Sequence, residues 1–78
     1  MLIPVVDLKR TGENISVLRK RSGISVRELQ SMLGFATPQA IYKWQRGETL
    51  PTVENLAALA FVLGVAVEDI LAVKCYQR

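Results

Sequence analysis

The 78-residue sequence contains no histidine and a single cysteine, Cys75. There is no glycine-rich phosphate loop either, so the usual nucleophile, base and metal-ligand constellations are missing. Glu68 and Asp69 are neighbours in the chain rather than members of one helix face, which argues against a working carboxylate pair. One cysteine excludes an internal disulfide and fits a reducing, cytoplasmic setting. The longest uncharged apolar stretch, LAALAFVLGVAV from Leu56 to Val67, falls short of the about 20 residues a membrane-spanning helix needs. The opening MLIPVVDLKR lacks both a leading basic region and a small-residue cleavage site, so it does not read as a signal peptide. The expectation is a soluble, cytoplasmic, non-enzymatic protein without cofactor, metal, small-molecule substrate or membrane partner.

What is present is one domain's worth of apolar residues and an uneven charge distribution. A chain this short buries a limited fraction of its surface, so nearly every apolar residue is needed in the core. Residues 1–47 hold eight Lys and Arg against three acids (8 − 3 = +5), and residues 48–78 hold two against four (2 − 4 = −2). Such a split suits one side meeting a polyanion, although a charge bias is more often simply a solvated surface.

Periodicity and end signals give five helices. Asp7 caps a first helix to about Ser22, along which Leu8, Thr11, Ile15 and Leu18 recur on one face. Lys9, Arg10, Arg19, Lys20 and Arg21 occupy the other face, as either a solvated surface or phosphate contacts. In SVRE, Ser25 and Glu28 form a capping box for a second helix that Gly34 ends. Thr37 followed by Pro38 predicts the start of a third helix, nine residues long and closed by Gly47. Thr52 caps a fourth, with Val53, Leu56, Ala57, Ala60, Leu63 and Gly64 on one face and Leu59 and Phe61 widening it. Val67, Ile70 and Leu71 mark a short fifth. The division expected is an arm over 1–6, a helical core over 7–71 and a tail over 72–78, all in one all-α unit. The arm, broken by Pro4, can also be a short extended edge. Met32 is expected to fill a gap near the core.

The third helix is split in character. On a helical wheel Ile41 and Trp44 fall together, whereas Gln39, Tyr42, Lys43 and Arg46 fall on the opposite side. Trp44 beside Ile41 reads as core rather than as a base-stacking ring. The outer face presents an amide, a phenol and two cations. Glutamine can pair bidentately with adenine, lysine can donate to guanine, and tyrosine can meet a base edge, a thymine methyl or a phosphate. An ordinary exposed helix can look the same; the steep two-helix turn before it gives the geometry of a helix-turn-helix. In that arrangement the start of the second helix at Ser25, Val26 and Arg27 offers amides and a cation to a phosphate, with Arg46, Lys20 and Thr49 able to add to the clamp.

The strings LRKRSGISVRELQSMLGF and AIYKWQRGETLPTVENLAALAFVLGVAVEDIL closely resemble the Cro and phage-repressor (Xre-type) helix-turn-helix family over about Asp7 to Leu71. The resemblance implies a compact five-helix, lambda-repressor-like fold. It also implies base contacts in the major groove of double-stranded DNA from Gln39, Ala40 and Lys43, with Tyr42, and backbone contacts near Ser25, Arg27 and Arg46. Val26, Lys20, Thr37 and Thr49 complete the expected phosphate set. The sequence departs from the family pattern in three places. The turn from Gly34 to Ile41 carries an extra residue. Gln45 stands where glutamate is common, so an ion pair to Arg19 becomes at most a neutral-donor hydrogen bond. Ala66 replaces a capping serine, which leaves the fifth helix prone to fray.

One short recognition helix reads few base pairs, so a homodimer reading two half-sites is expected. Its surface is either the fifth helix with the tail (Val67, Ile70, Leu71, Val73, Tyr76) or the arm MLIPVV. The function expected is a sequence-specific transcriptional regulator, with repression as the default. Two rivals stand beside it: an antitoxin, which needs a partner surface, and a protein-interaction module whose cationic helix is idle.

Overall fold

The computed structural model describes residues 1–77 and holds the five helices in the expected order, α1 Leu8–Arg21, α2 Val26–Leu33, α3 Gln39–Gln45, α4 Val53–Leu63 and α5 Val67–Ile70. The end signals act where the sequence put them. Asp7 accepts the Arg10 amide at 3.0 Å, and Thr52 accepts that of Asn55 at 3.1 Å. At α2 the box is reciprocal: Ser25 Oγ takes the Glu28 amide and Glu28 Oε1 takes the Ser25 amide, both at 3.0 Å. Gly34 closes α2 with φ +72° and Gly64 closes α4 with φ +68°, a left-handed turn that a side chain would strain. At α5 Ala66 offers no side-chain cap, and only the return half of a box survives, the Ala66 amide donating to Asp69 Oδ2 at 2.9 Å. The helix is four residues long.

The start of α3 differs from expectation. Thr37 caps nothing; Pro38 occupies the cap position, where its carbonyl accepts the Tyr42 amide at 3.2 Å, and α3 has seven residues instead of nine. The cause lies in the turn. Phe35 is held back on α2, its amide on Gln30 O at 3.0 Å and its own carbonyl taking Gln30 Nε2 at 3.2 Å. Its ring meets that of Trp44 edge-on, with centroids 5.7 Å apart. With Phe35 tied down, Ala36 to Pro38 are consumed in redirecting the chain.

The core consists of Ile15, Leu29, Ile41, Trp44, Leu56, Leu59, Ala60, Leu63 and Ile70. Helix α4 is apolar nearly all round, and the core takes its Leu56, Leu59, Ala60 and Leu63 side. Val53 and Phe61 are consequently left 84% and 88% exposed, contrary to the face drawn from the sequence. Met32, expected near the core, is also exposed. Ile70, assigned above to a dimer surface, is fully buried, and Val67 and Leu71 pack against the core.

The two ends of the chain, read as separate arm and tail, pair with each other. Strand β1, Leu2–Val6, runs antiparallel to β2, Val73–Gln77, in a two-stranded ribbon with Pro4 opposite Cys75. Arg78, the last residue of the expected tail, lies outside the described residues. Three hydrogen bonds fix the base of the ribbon to the helices. The Asp7 amide donates to Ala72 O at 2.7 Å, the Ala72 amide to the buried Thr11 hydroxyl at 3.0 Å, and Asn14 Nδ2 to Ile70 O at 3.0 Å.

Candidate nucleic-acid interface

Helix α3 is locked on one side and open on the other. Ile41 and Trp44 are buried, at 0% and 4% exposure. Its C-terminal end lies so close to α1 that a Cβ built on Gly12 would stand 2.1 Å from the Trp44 carbonyl oxygen and 2.8 Å from that of Gln45. Gly47, at φ +75°, is also close, a Cβ there standing 2.8 Å from Lys9 Cα, so α1 and the end of α3 meet backbone to backbone. A side-chain brace completes the attachment. Arg19 Nε donates to Gln45 Oε1 at 2.9 Å while its Nη1 donates to Ile24 O at 2.8 Å, so one guanidinium ties α1, the α1–α2 turn and α3 together. The hydrogen bond expected at Gln45 is present, with Gln45 as its neutral acceptor rather than its donor, because the guanidinium has only N–H groups to offer.

Outward, α3 exposes Gln39, Tyr42, Lys43 and, at its cap, Arg46. Ala40 is half-buried and packs against the core, which leaves it the least to offer a ligand. Arg46 is not unopposed, since Glu48 forms an ion pair with it. Both side chains are about half exposed, and an ion pair at such a place stabilises by only about 0–1 kcal/mol, so Arg46 can change partners at little cost.

The N-terminus of α2 is also partly engaged. Glu28 places its carboxylate there, and the Ser25 amide and hydroxyl hold that carboxyl below the ordinary carboxylate pKa, the amide contributing most. The amides of Val26 and Arg27 remain for an external anion. Lys20, Ser25, Arg27, Thr37 and Thr49 are exposed and Val26 is half-buried. Arg27 also lines an open groove with Gln30, Ser31, Phe35 and Pro38, which brings it beside the start of α3. The sequence reading passed over Gln30, Ser31 and Phe35; the extra residue in the turn was the available sign that this corner has a shape of its own.

Two helices joined by a steep turn, the first presenting its N-terminus and the second braced from behind with a polar face outward, define a helix-turn-helix domain. Residues 15–70 match the helix-turn-helix family model, and the chain belongs to that family, in agreement with the Xre-type resemblance of its sequence. Among solved structures it is similar to the DNA-binding domain of BldD from S. venezulae, 25% identical with a TM-score of 0.72, covering 85% of this chain and 97% of that one. The restriction-modification controller protein C.AhdI from Aeromonas hydrophila shares the fold, at 23% identity, TM-score 0.74, and 82% and 96% coverage. Apo-HppE matches at 25% identity and TM-score 0.76 over 85% of this chain, but this chain spans only 36% of that one. No curated protein matches the sequence.

Proposed function

We propose that the chain is a DNA-binding transcriptional regulator that lays α3 in the major groove of duplex DNA and binds a palindromic operator as a homodimer, repressing by occupancy. The observation that carries this reading is the construction of α3: Ile41, Trp44, Gly12 and Arg19 fix its rear, and Gln39, Tyr42 and Lys43 stand free in front. At about 1.5 Å per residue the helix is about 10 Å long, and a B-DNA major groove is about 12 Å wide. Gln39 at the leading end reads adenine, Lys43 reads guanine acceptors, and Tyr42 reads a thymine methyl or a phosphate. Arg27, Arg46, Lys20, Ser25, Thr37, Thr49 and the amides of α2 hold the phosphates on either side, which sets register without reading sequence. Both the family and the DNA-binding domain of BldD support the assignment.

The test is selection of bound sites from a randomised duplex library, followed by a salt titration on the enriched sequence. The expected result is a palindrome with half-sites about 10 base pairs apart, centre to centre. Absence of enrichment, with only weak salt-sensitive binding, would refute sequence-specific regulation.

A further inference from the structure

We propose that the free edge of β2 joins the same edge of a second copy, in antiparallel register centred on Cys75, to give a dimer held by a four-stranded sheet. This deepens the homodimer of the proposed function by naming its interface.

The argument begins with the direction of the main-chain groups. In an antiparallel pair, residues alternate between those bonded to the partner strand and those whose N–H and C=O point away. The Asp7 amide donates to Ala72 O, so the pair Asp7–Ala72 is of the bonded kind. Counting along the register, Val5–Lys74 and Ile3–Tyr76 are bonded too, while Val6–Val73, Pro4–Cys75 and Leu2–Gln77 point outward. Pro4 agrees with this assignment, because it has no N–H to give β2. The two outer edges of the ribbon therefore differ. On β1, Pro4 removes the central donor and blocks pairing. On β2, Val73, Cys75 and Gln77 present donors and acceptors in an unbroken row.

That row is self-complementary. A twofold axis at Cys75 sets Val73 against Gln77 of the copy and Cys75 against Cys75 of the copy, with about six main-chain hydrogen bonds. The same axis sets Lys74 against Tyr76 of the copy, extending a contact the two side chains already make within one chain, where Lys74 Nζ lies 5.9 Å from the ring centre. Association stops at two copies, because the outermost strands are then the proline-blocked β1 edges. The ribbon also needs support: two strands alone are marginal in water, and every residue of β2 is exposed. Leu2, Pro4, Val6, Val73 and Cys75 share one ribbon face, which becomes continuous with that of the copy.

The exposed Val53, Ala57 and Phe61 on α4 are the competing surface. Light scattering on the full chain separates the two. Wild type is expected to be a dimer. Cys75→Pro removes an outward N–H that the ribbon itself does not use, and is expected to be a monomer with the helical circular dichroism of wild type. Phe61→Glu is expected to remain a dimer. With diamide, which takes one hydrogen from each of two thiols as the disulfide forms, the folded chain is expected to cross-link at least tenfold faster than the chain in urea. The Cα separation in such a pair, about 5.5 Å, suits a disulfide. This cross-linking decides the matter should Cys75→Pro fail to fold. A monomeric wild type, a dimeric Cys75→Pro, dissociation by Phe61→Glu, or equal cross-linking in urea would each overturn the proposal. A monomer that still selects a DNA site would refute the interface and leave DNA recognition standing; a β2-linked dimer that selects none would do the reverse.

Discussion

Replacing Gly12 by alanine sets two physical rules against each other. In a helix interior, alanine is favoured over glycine by about 1 kcal/mol, so helix propensity alone predicts a more stable protein. In the structure the new Cβ would lie 2.1 Å from the Trp44 carbonyl oxygen and 2.8 Å from that of Gln45, both main-chain atoms. An ordinary carbon–oxygen contact is more than 3 Å, so α3 would have to retreat from α1 by about 1 Å. Forcing a group into a packed site costs typically about 1–3 kcal/mol, and the obstruction here is backbone rather than a flexible side chain. With the cost at the upper end of that range, about 3 kcal/mol, and the helix-propensity gain of about 1 kcal/mol set against it, we expect net destabilisation of about 2 kcal/mol, or roughly 8–16 °C in Tm for a domain of this size. Urea titration followed by far-ultraviolet circular dichroism measures it. Gly23→Ala is the control: Gly23 has φ +72° and no atom within 4 Å of the added carbon, so it should show only the left-handed strain of about 1–2 kcal/mol. A Gly12→Ala protein as stable as wild type, or more so, would refute the backbone contact between α1 and α3.

Other substitutions probe the brace, the cap and the phosphate contacts. Gln45→Glu turns the Arg19 bond into a charge-assisted one and should stabilise by about 1 kcal/mol, a gain visible in urea titration and reduced by salt. Glu28 has a lowered pKa in the folded chain, so its carboxylate's contribution is present above the unfolded value and is lost as pH falls through the folded one. The stability difference between wild type and Glu28→Gln should accordingly shrink on acidification below the ordinary carboxyl value of 4.5, as thermal melts at a series of pH values will show. Arg46→Ala should weaken binding to all duplexes alike and flatten the salt dependence by about one unit, measured by fluorescence anisotropy.

Most of the fold was legible because its signals are local. A capping side chain reaches only three residues, and the glycine stops depend on their own φ, so Asp7, Ser25, Gly34, Thr52 and Gly64 could be read directly. Ile41 and Trp44 followed from helical spacing, and the Arg19–Gln45 bond from the family pattern. What escaped depends on groups far apart in the chain. The ribbon pairs residue 2 with residue 77, a juxtaposition no periodicity encodes. Gly12 reads as a weak point in a helix until α3 is seen against it. Thr37 has the chemistry of a cap, but the anchoring of Phe35 on α2 and Trp44 moves the helix start beyond it. On α4 apolar residues surround the axis, and only the position of the neighbouring helices decides that Leu59 is buried and Phe61 is not.

The central claim is that the outer face of α3 reads bases, and it is tested most directly at Gln39, the exposed first residue of that helix. Binding of wild type and Gln39→Ala should be compared on the selected site, on every single-base variant of it and on unrelated duplex, at one salt concentration. The account predicts a loss of about 1–3 kcal/mol on the selected site, relaxed preference at one base position in each half-site, and unchanged affinity for unrelated duplex. Equal affinity and an unaltered base preference in the variant would contradict it.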